Sequence, residues 1–267
     1  MSSKTGQGAA LVTGASSGIG AVYAERLADR GYDLVLVARR RAELDALAAR
    51  IAARTGRKVD VLTADLAKPE GQAIVERRLR DDATISLLIN NAGFAAGGPL
   101  VGGDADATEA MLVLNIVALT RLSAAAANAF AGRKAGTIIN ISSAMSQLIS
   151  GRVAGYSASK AYVLNFTRGL AEELAPHGVR VQAVLPGYTR TPFLSDALLA
   201  TIPPETVMPV DELVDAALAG LDQGEVVTIP SLPDTADWDA LEAARLKVAQ
   251  NISRDHPAAR YSVRQAA

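Results

Sequence analysis

The chain contains no cysteine among its 267 residues. That one absence excludes disulfide scaffolds, thiolate zinc sites, iron–sulfur clusters and thiol nucleophiles, and it suits a reducing compartment. Histidine is almost as scarce. Only His177 and His256 occur, far apart and without ligand-like neighbours, so no metal site is expected. Charge of neither sign is in excess: Lys and Arg number 27 against 28 Asp and Glu, leaving no global basic field to hold a nucleic-acid backbone. No uninterrupted apolar run reaches the roughly eighteen residues of a membrane span. Met111–Leu119 comes nearest and is broken by Asn115. Residues 1–14 lack the basic-then-apolar build of a signal peptide, so a cytoplasmic protein is expected.

What is present is the composition of an ordinary globular protein, 49% apolar and 21% charged, which rules out disordered and coiled-coil readings. Short runs rich in Val, Ile and Leu alternate with longer helical patterns, the order expected of a parallel sheet with crossover helices. Strands are expected at Ala9–Thr13, Asp33–Ala38, Lys58–Thr63, Ile85–Asn90, Gly136–Ile141, Val179–Leu185 and Val226–Ile229. Most read apolar on both faces, as they should when helices cover both sides. Helices are expected at Gly18–Arg30, Ala42–Thr55, Pro69–Leu79, Ala107–Phe130, Ser157–Ala175 and Asp211–Leu221. There is no internal repeat. One α/β domain is expected, with a core over residues 9–230 and a C-terminal extension, 231–267, that carries a helical stretch at Asp237–Asn251.

The first chemistry stands where the first strand ends, in Thr13-Gly14-Ala15-Ser16-Ser17-Gly18-Ile19-Gly20, directly before a helix. Gly14 and Gly18 let a backbone turn tightly and approach a pyrophosphate, Gly20 lets helix and strand pack closely, and the helix N-terminus offers free N–H groups. The spacing departs from G-x-G-x-x-G, and such a turn is also a common tight connection. Farther on, Tyr156 and Lys160 are four residues apart, which on a helix brings a phenol and an ammonium to one face. A nearby cation favours the phenolate and brings a group of pKa near 10 toward usefulness as a general acid/base. Six tyrosines and six lysines in a chain of this length give only about 0.13 such pairs by chance.

Taken in order, the glycine turn, Asn90-Asn91-Ala92-Gly93, Asn115, Ser142-Ser143, Tyr156-Ser-Ala-Ser-Lys160 and Pro186-Gly187 resemble the short-chain dehydrogenase/reductase family over about residues 9–230. The resemblance implies a Rossmann-type doubly wound parallel sheet of about seven strands with helices on both faces. It further implies an oxidoreductase that moves a hydride between a nicotinamide and a carbonyl or secondary alcohol. Ser143 would hold the substrate carbonyl, Tyr156 would move the proton, Lys160 would tune Tyr156 and bond the nicotinamide ribose, and Asn115 would hold a relay water. The competing role for Asn115 is a helix-interior amide bonded to backbone.

By the same resemblance the cofactor would meet Gly14, Ser16, Ser17, Gly18, Ile19 and Gly20, with Asp65 and Leu66 at the adenine and Asn91, Ala92 and Gly93 along the adenosine side. Pro186, Gly187, Thr189 and Thr191 would hold the carboxamide end, although Thr189 stands where many relatives carry Ile or Val. Asp65 has the competing role of capping the helix ahead of Pro69. After the second strand comes Arg39-Arg40-Arg41 in place of the acidic residue that would hold a ribose 2′-hydroxyl. Guanidinium groups suit a 2′-phosphate, so NADP(H) is expected, with Arg39 as the main contact, Arg40 as helper and Arg41 solvated. Phe94, Met145, Gln147, Tyr188 and Phe193 are candidate pocket residues for a substrate with a nonpolar body.

Two other classes stay open on sequence: a non-catalytic NADP-binding sensor or assembly protein of the same fold, and an epimerase or dehydratase. A homo-oligomer, tetramer before dimer, is expected through the helices around Asn115 and Tyr156, with Ala124, Ala125, Ala126 and Ala127 allowing close approach. In the extension, Trp238, Leu241, Leu246 and Val248 sit among polar residues and are followed by Arg254, Arg260 and Arg264. This segment is expected to pack beside a substrate cleft, its own or a neighbour's, the alternative being a helix on the sheet edge.

Overall fold

A computed structural model describes residues 7–96 and 98–261. Seven parallel strands, β1 (Ala9–Thr13), β2 (Asp33–Ala38), β3 (Val59–Thr63), β4 (Ile85–Asn90), β5 (Gly136–Ile141), β6 (Val179–Val184) and β7 (Val227–Thr228), form one sheet in the order β3-β2-β1-β4-β5-β6-β7. The chain moves outward from β1 to β3, then returns to place β4 on the other side of β1. That reversal opens a crevice at the carboxyl ends of β1 and β4, where doubly wound sheets bind their ligands.

The helices are α1 (Gly18–Asp29), α2 (Arg41–Thr55), α3 (Pro69–Asp81), α4 (Ala105–Leu112), α5 (Leu119–Arg133), α6 (Ala154–Leu174), α7 (Asp196–Leu199) and α8 (Val210–Gln223). Strand residues alternate between two cores, which is why most strands read apolar on both faces. Val12, Leu34, Leu36, Leu87 and Ile89 pack with α1, α2 and α8 residues, including Leu27, Leu44 and Leu213. Leu11, Val35, Val37, Leu88 and Ile138 face the other way, onto Val75, Leu122, Phe130 and Leu170 of α3, α5 and α6.

Three expectations are corrected. The helix expected at Ala107–Phe130 runs from Ala105 to Arg133 and contains a π-helical segment, Val113–Ala118, between α4 and α5. The helix expected to begin at Ser157 begins at Ala154, so Tyr156 lies inside its first turn. Gly155 permits this, since a Cβ there would already stand 3.3 Å from the Thr108 methyl of α4. Finally, Ala125, Ala126 and Ala127 are buried in the core of the chain itself; of the four alanines only Ala124 is exposed.

By length and composition Ala105–Arg133 could cross a membrane. Its residues Met111, Leu119, Leu122, Ala126 and Phe130 are instead buried in this fold. From Ser231 onward a second unit contains α9 (Ala236–Ala249) and a short 3-10 turn, Ala259–Tyr261. Arg264 lies outside the described residues.

Candidate active site

Thr13, the last residue of β1, ties the first strand to the end of β4. Its hydroxyl donates to Ile89 O at 3.1 Å and accepts from the amides of Asn91 and Ala92 at 2.9 and 3.1 Å. Asn91 Nδ2 then donates to Thr13 O and Gly14 O at 3.0 and 3.3 Å, so the amide expected along the adenosine side braces the turn itself. The glycines answer to this packing. Gly14 has φ +66°, and a Cβ on Gly20 would stand 2.5 Å from both Asn91 Nδ2 and Gly14 O. Gly18, at φ +56°, opens α1 and lies against Thr191, whose methyl would be 3.3 Å from an added Cβ. The turn after β1 and the segment after β6 therefore meet across the crevice.

At the N-cap of α1, Ser17 makes no capping bond; its hydroxyl accepts from Arg40 Nη2 at 3.1 Å. The same Nη2 donates to Ser16 Oγ at 3.0 Å, while Nη1 lies 3.4 Å from Glu43. Arg40, expected as a helper, is thus the guanidinium folded onto the glycine turn. Arg39 is exposed and has no hydrogen bond or ion pair among the described residues, and Arg41 pairs with Asp45 on the surface of α2. Asp65 does not cap α3, whose N-cap is Lys68; its Oδ1 accepts from Ala67 N at 3.1 Å. Beside it Leu66 is buried, and its carbonyl accepts from Gln72 Nε2 at 2.9 Å.

Ser143, Tyr156 and Lys160 meet where β5 ends and α6 begins. Ser142 Oγ donates to Lys160 O at 2.7 Å, locking the strand end to the helix. Ser143 Oγ accepts from Met145 N at 3.1 Å and lies 3.5 Å from Pro186 O. Lys160 Nζ is buried, donates to Ile141 O at 2.9 Å and stands 5.8 Å from the centre of the Tyr156 ring. Burial lowers the Lys160 ammonium to about 8. Tyr156 departs from the expected direction: burial pushes its phenol up, and its hydrogen bond with the Ser143 side chain offsets this only in part. With the ammonium committed to Ile141 O, the expected lowering by Lys160 is absent from this arrangement.

Asn115 lies in the π-helical segment and is buried. Its Oδ1 accepts from Phe94 N at 3.1 Å, and its Nδ2 donates to Phe94 O at 3.0 Å and to Ser159 Oγ at 3.2 Å. Ser159 Oγ in turn donates to Tyr156 O at 2.7 Å. Both amide hydrogens are engaged with protein, as in the helix-interior alternative. Gly93 completes the cluster, since a Cβ there would stand 2.9 Å from Asn115 Oδ1 and 3.6 Å from Lys160 Nζ. Ser159 was missed at the sequence level, although it sits directly before Lys160.

The segment after β6 begins with Pro186 and is closed at its neck by a parallel bridge between Thr189 and Met208. Thr189 is buried, and its Oγ1 donates to Gly187 O at 3.1 Å, which lets a hydroxyl stand where an aliphatic side chain is usual. Thr191 Oγ1 lies 3.4 Å from Thr189 O. Within the segment Phe193 reaches back to Tyr156, with ring centres 6.1 Å apart and planes tilted by 43°. Leu148 and Ile149, after β5, and Tyr188, after β6, add exposed apolar surface at this end of the sheet.

The arrangement has close counterparts. A model of the short chain dehydrogenase family matches residues 8–200. An uncharacterized oxidoreductase of Staphylococcus saprophyticus is 38% identical over 188 residues, covering 70% of this chain and 80% of that protein. The solved structure of a short-chain dehydrogenase from Sphingobium yanoikuyae in complex with NADPH is 50% identical, with a TM-score of 0.91, covering 95% of this chain and 100% of that one. A bulky-bulky ketone specific alcohol dehydrogenase from Comamonas testosteroni is 45% identical, with a TM-score of 0.89 and coverage of 96% and 99%. With most of its sheet, its glycine turn and its Ser143, Tyr156 and Lys160 inside the matched span, the chain belongs to the short-chain dehydrogenase family.

Proposed function

We propose that the protein is an NADP(H)-dependent oxidoreductase that interconverts a ketone and a secondary alcohol, with Tyr156 as general acid/base. The observation that carries this reading is the convergence of Ser143, Tyr156 and Lys160 beside the crevice at the β1 and β4 ends. A dinucleotide fits that crevice because Gly14 and Gly20 leave no room for side chains and α1 points its N-terminus at it. A 2′-phosphate would be held by Arg40, Ser16 and Ser17, with the unpaired Arg39 beside them. Asp65 and Leu66 would bound the adenine, Ile19, Ala92 and Gly93 the middle, and Pro186, Gly187, Thr189 and Thr191 the carboxamide end.

When bound, the nicotinamide gives or takes the hydride. In reduction Tyr156 passes its hydroxyl proton to the carbonyl oxygen, while Ser143 Oγ donates to the same oxygen and holds it in place. In oxidation the proton returns to Tyr156. Lys160 contributes by turning its ammonium from Ile141 O toward the phenol and ribose, which lowers the phenol and favours proton release. Asn115 retains one acceptor site on Oδ1 for a relay water, and through Ser159 it positions the Tyr156 backbone.

The apolar surfaces of Phe193, Tyr188, Leu148 and Ile149 favour a ketone with apolar groups on both sides, and the Comamonas relative is described as specific for ketones that are bulky on both sides. Assembly as a homo-oligomer, tetramer before dimer, is proposed on the outer faces of α5 and α6, where Tyr162 stacks on Phe166 and bonds Thr120 at 2.9 Å. A single 27.7 kDa species in light scattering at micromolar concentration would end that part. The test of the activity is a ketone and alcohol panel with NADPH, NADP⁺ and NADH, read at the reduced-nicotinamide absorbance. Turnover of ketones flanked by apolar groups supports the reading; NADPH binding without turnover across the panel would favour a non-catalytic NADP-binding protein.

A further inference from the structure

The bases beside the glycine turn are accompanied by an acid. Glu43 stands in the first turn of α2, and its carboxylate lies 3.4 Å from Arg40 Nη1. Both side chains are about half exposed, so their attraction is modest and screened by salt. At the start of α2 the carboxylate also meets the positive end of the helix dipole, which favours an acid there whatever binds nearby.

Such a pair can act on an incoming phosphate in two opposite ways. A carboxylate that holds the arginine in place prepares it for the phosphate. One that merely sits beside an arginine already held competes for it, because a phosphate monoester near neutrality carries close to two negative charges. The hydrogen bonds of Arg40 decide between these. Its Nη2 donates to Ser16 Oγ at 3.0 Å and to Ser17 Oγ at 3.1 Å, and reaches Ser16 O at 3.5 Å. The guanidinium is therefore anchored on the glycine turn through one tip nitrogen without help from Glu43. Glu43 lies against the other tip nitrogen, and a guanidinium grips a phosphate best with two of its N–H groups at once. The next acid, Asp45, is already taken by Arg41.

We infer that Glu43 is a specificity-determining residue that restrains affinity for the cofactor's 2′-phosphate and so narrows the gap between NADPH and NADH. This rests on the reading that Arg40, Ser16 and Ser17 receive that phosphate. Removing the carboxylate leaves Arg40 on its two serines and frees Nη1 for the phosphate. A ribose 2′-hydroxyl has no charge to repel, so the same change leaves a nucleotide without the 2′-phosphate nearly unaffected.

Adenosine 2′,5′-bisphosphate and adenosine 5′-monophosphate differ by that phosphate alone and bind without reacting, so calorimetric titration of both reads the site apart from turnover. At roughly 20 mM salt, Glu43→Gln is expected to bind the bisphosphate about threefold to tenfold more tightly than the parent does, and to change the monophosphate by less than about twofold. Raising the salt to roughly 500 mM is expected to shrink the gain. Asp45→Asn removes the same charge from the same helix and is expected to give a clearly smaller gain. Unchanged or weaker bisphosphate binding by Glu43→Gln, a gain indifferent to salt, or an equal gain from Asp45→Asn would overturn the inference. A parent that binds the two nucleotides equally would instead refute the phosphate site at Arg40, Ser16 and Ser17, and the inference with it.

Discussion

Asn115 grips both polar groups of one backbone residue: its Oδ1 accepts the Phe94 amide at 3.1 Å and its Nδ2 donates to the Phe94 carbonyl at 3.0 Å. Phe94 follows Gly93, where an added Cβ would stand 2.9 Å from Asn115 Oδ1 and 3.6 Å from Lys160 Nζ. The clamp thus couples the π-helical segment to the strand end that lines the crevice. Asn115→Leu keeps the branched side-chain shape with a modest gain in volume and removes the bonds to Phe94 and Ser159, orphaning the two Phe94 backbone groups at a cost of about 1–3 kcal/mol for each that stays dry. Denaturant unfolding is expected to show that loss, and kcat is expected to fall more than NADPH affinity. An unchanged midpoint and kcat would mean the clamp is ornamental to the site.

Tyr156→Phe deletes one hydroxyl at a position where proton transfer contributes about 10²–10⁴-fold. A loss of kcat in that range is expected, with NADPH affinity almost unchanged, because the glycine turn and Arg40 are untouched. Steady-state kinetics and fluorescence titration check the two halves separately. Retained turnover would remove Tyr156 from the chemistry.

Lys160 carries a pH signature. Its folded-state value, lowered by burial to about 8, lies below the roughly 10.4 of a free lysine. Between those values the unfolded chain binds more protons than the folded one, so stability rises with pH through that window. Below about 8 the penalty is constant and on the order of 3 kcal/mol. Lys160→Met is expected to be the more stable form near pH 7 and to lose that advantage progressively up to about pH 10. Urea unfolding of both proteins at pH 7, 8.5 and 10 measures the difference; a pH-independent gap would contradict the burial argument.

The inner strands were legible because both of their faces are buried, and a continuous apolar run of Val, Ile and Leu bounded by glycine or polar residues has few other uses. β1, β2, β4 and β5 begin and end at the expected residues. The π-helical segment was not legible: its composition is that of any apolar helix, and only the buried polar Asn115 interrupts it. Nor does a run of three arginines say which one folds back. That is decided by the path of the chain, which exposes Arg39 and lets Arg40, at the N-cap of α2, reach Ser16 and Ser17. The direction of the Tyr156 shift was misread for a similar reason. Sequence spacing brings Lys160 near the ring, but only the three-dimensional arrangement reveals that the phenol is buried, which pushes it up, and that the Lys160 ammonium is held by Ile141 O.

Arg40 therefore becomes the stronger test of cofactor choice. Charge-assisted hydrogen bonds contribute about 1.5–3 kcal/mol, so Arg40→Ala is expected to lower kcat/KM for NADPH by roughly 10- to 100-fold and leave NADH nearly unaffected. Arg39→Ala is expected to cost less, since its guanidinium is not preset. Comparing both variants with both cofactors decides the matter. If Arg39→Ala abolished the preference and Arg40→Ala kept it, the roles would be exchanged.

Phe193 is the side chain that carries the substrate reading furthest, because it is 49% exposed yet its ring centre lies 6.1 Å from that of Tyr156. A residue so placed walls one side of any carbonyl held near the phenol. The Thr189–Met208 bridge fixes the neck of its segment, so truncating the ring should alter the wall without unravelling the loop. Losing contact with a phenyl-sized surface corresponds to about 1.5–3 kcal/mol when the ring is fully buried by substrate, and less when burial is partial. Phe193→Ala is accordingly expected to raise KM severalfold to tenfold for ketones with large apolar groups on both sides, and to change it little for a small ketone such as acetone. A uniform loss of kcat across both substrates, with KM unmoved, would instead assign Phe193 to holding Tyr156, and the apolar wall would have to be sought in Tyr188, Leu148 and Ile149.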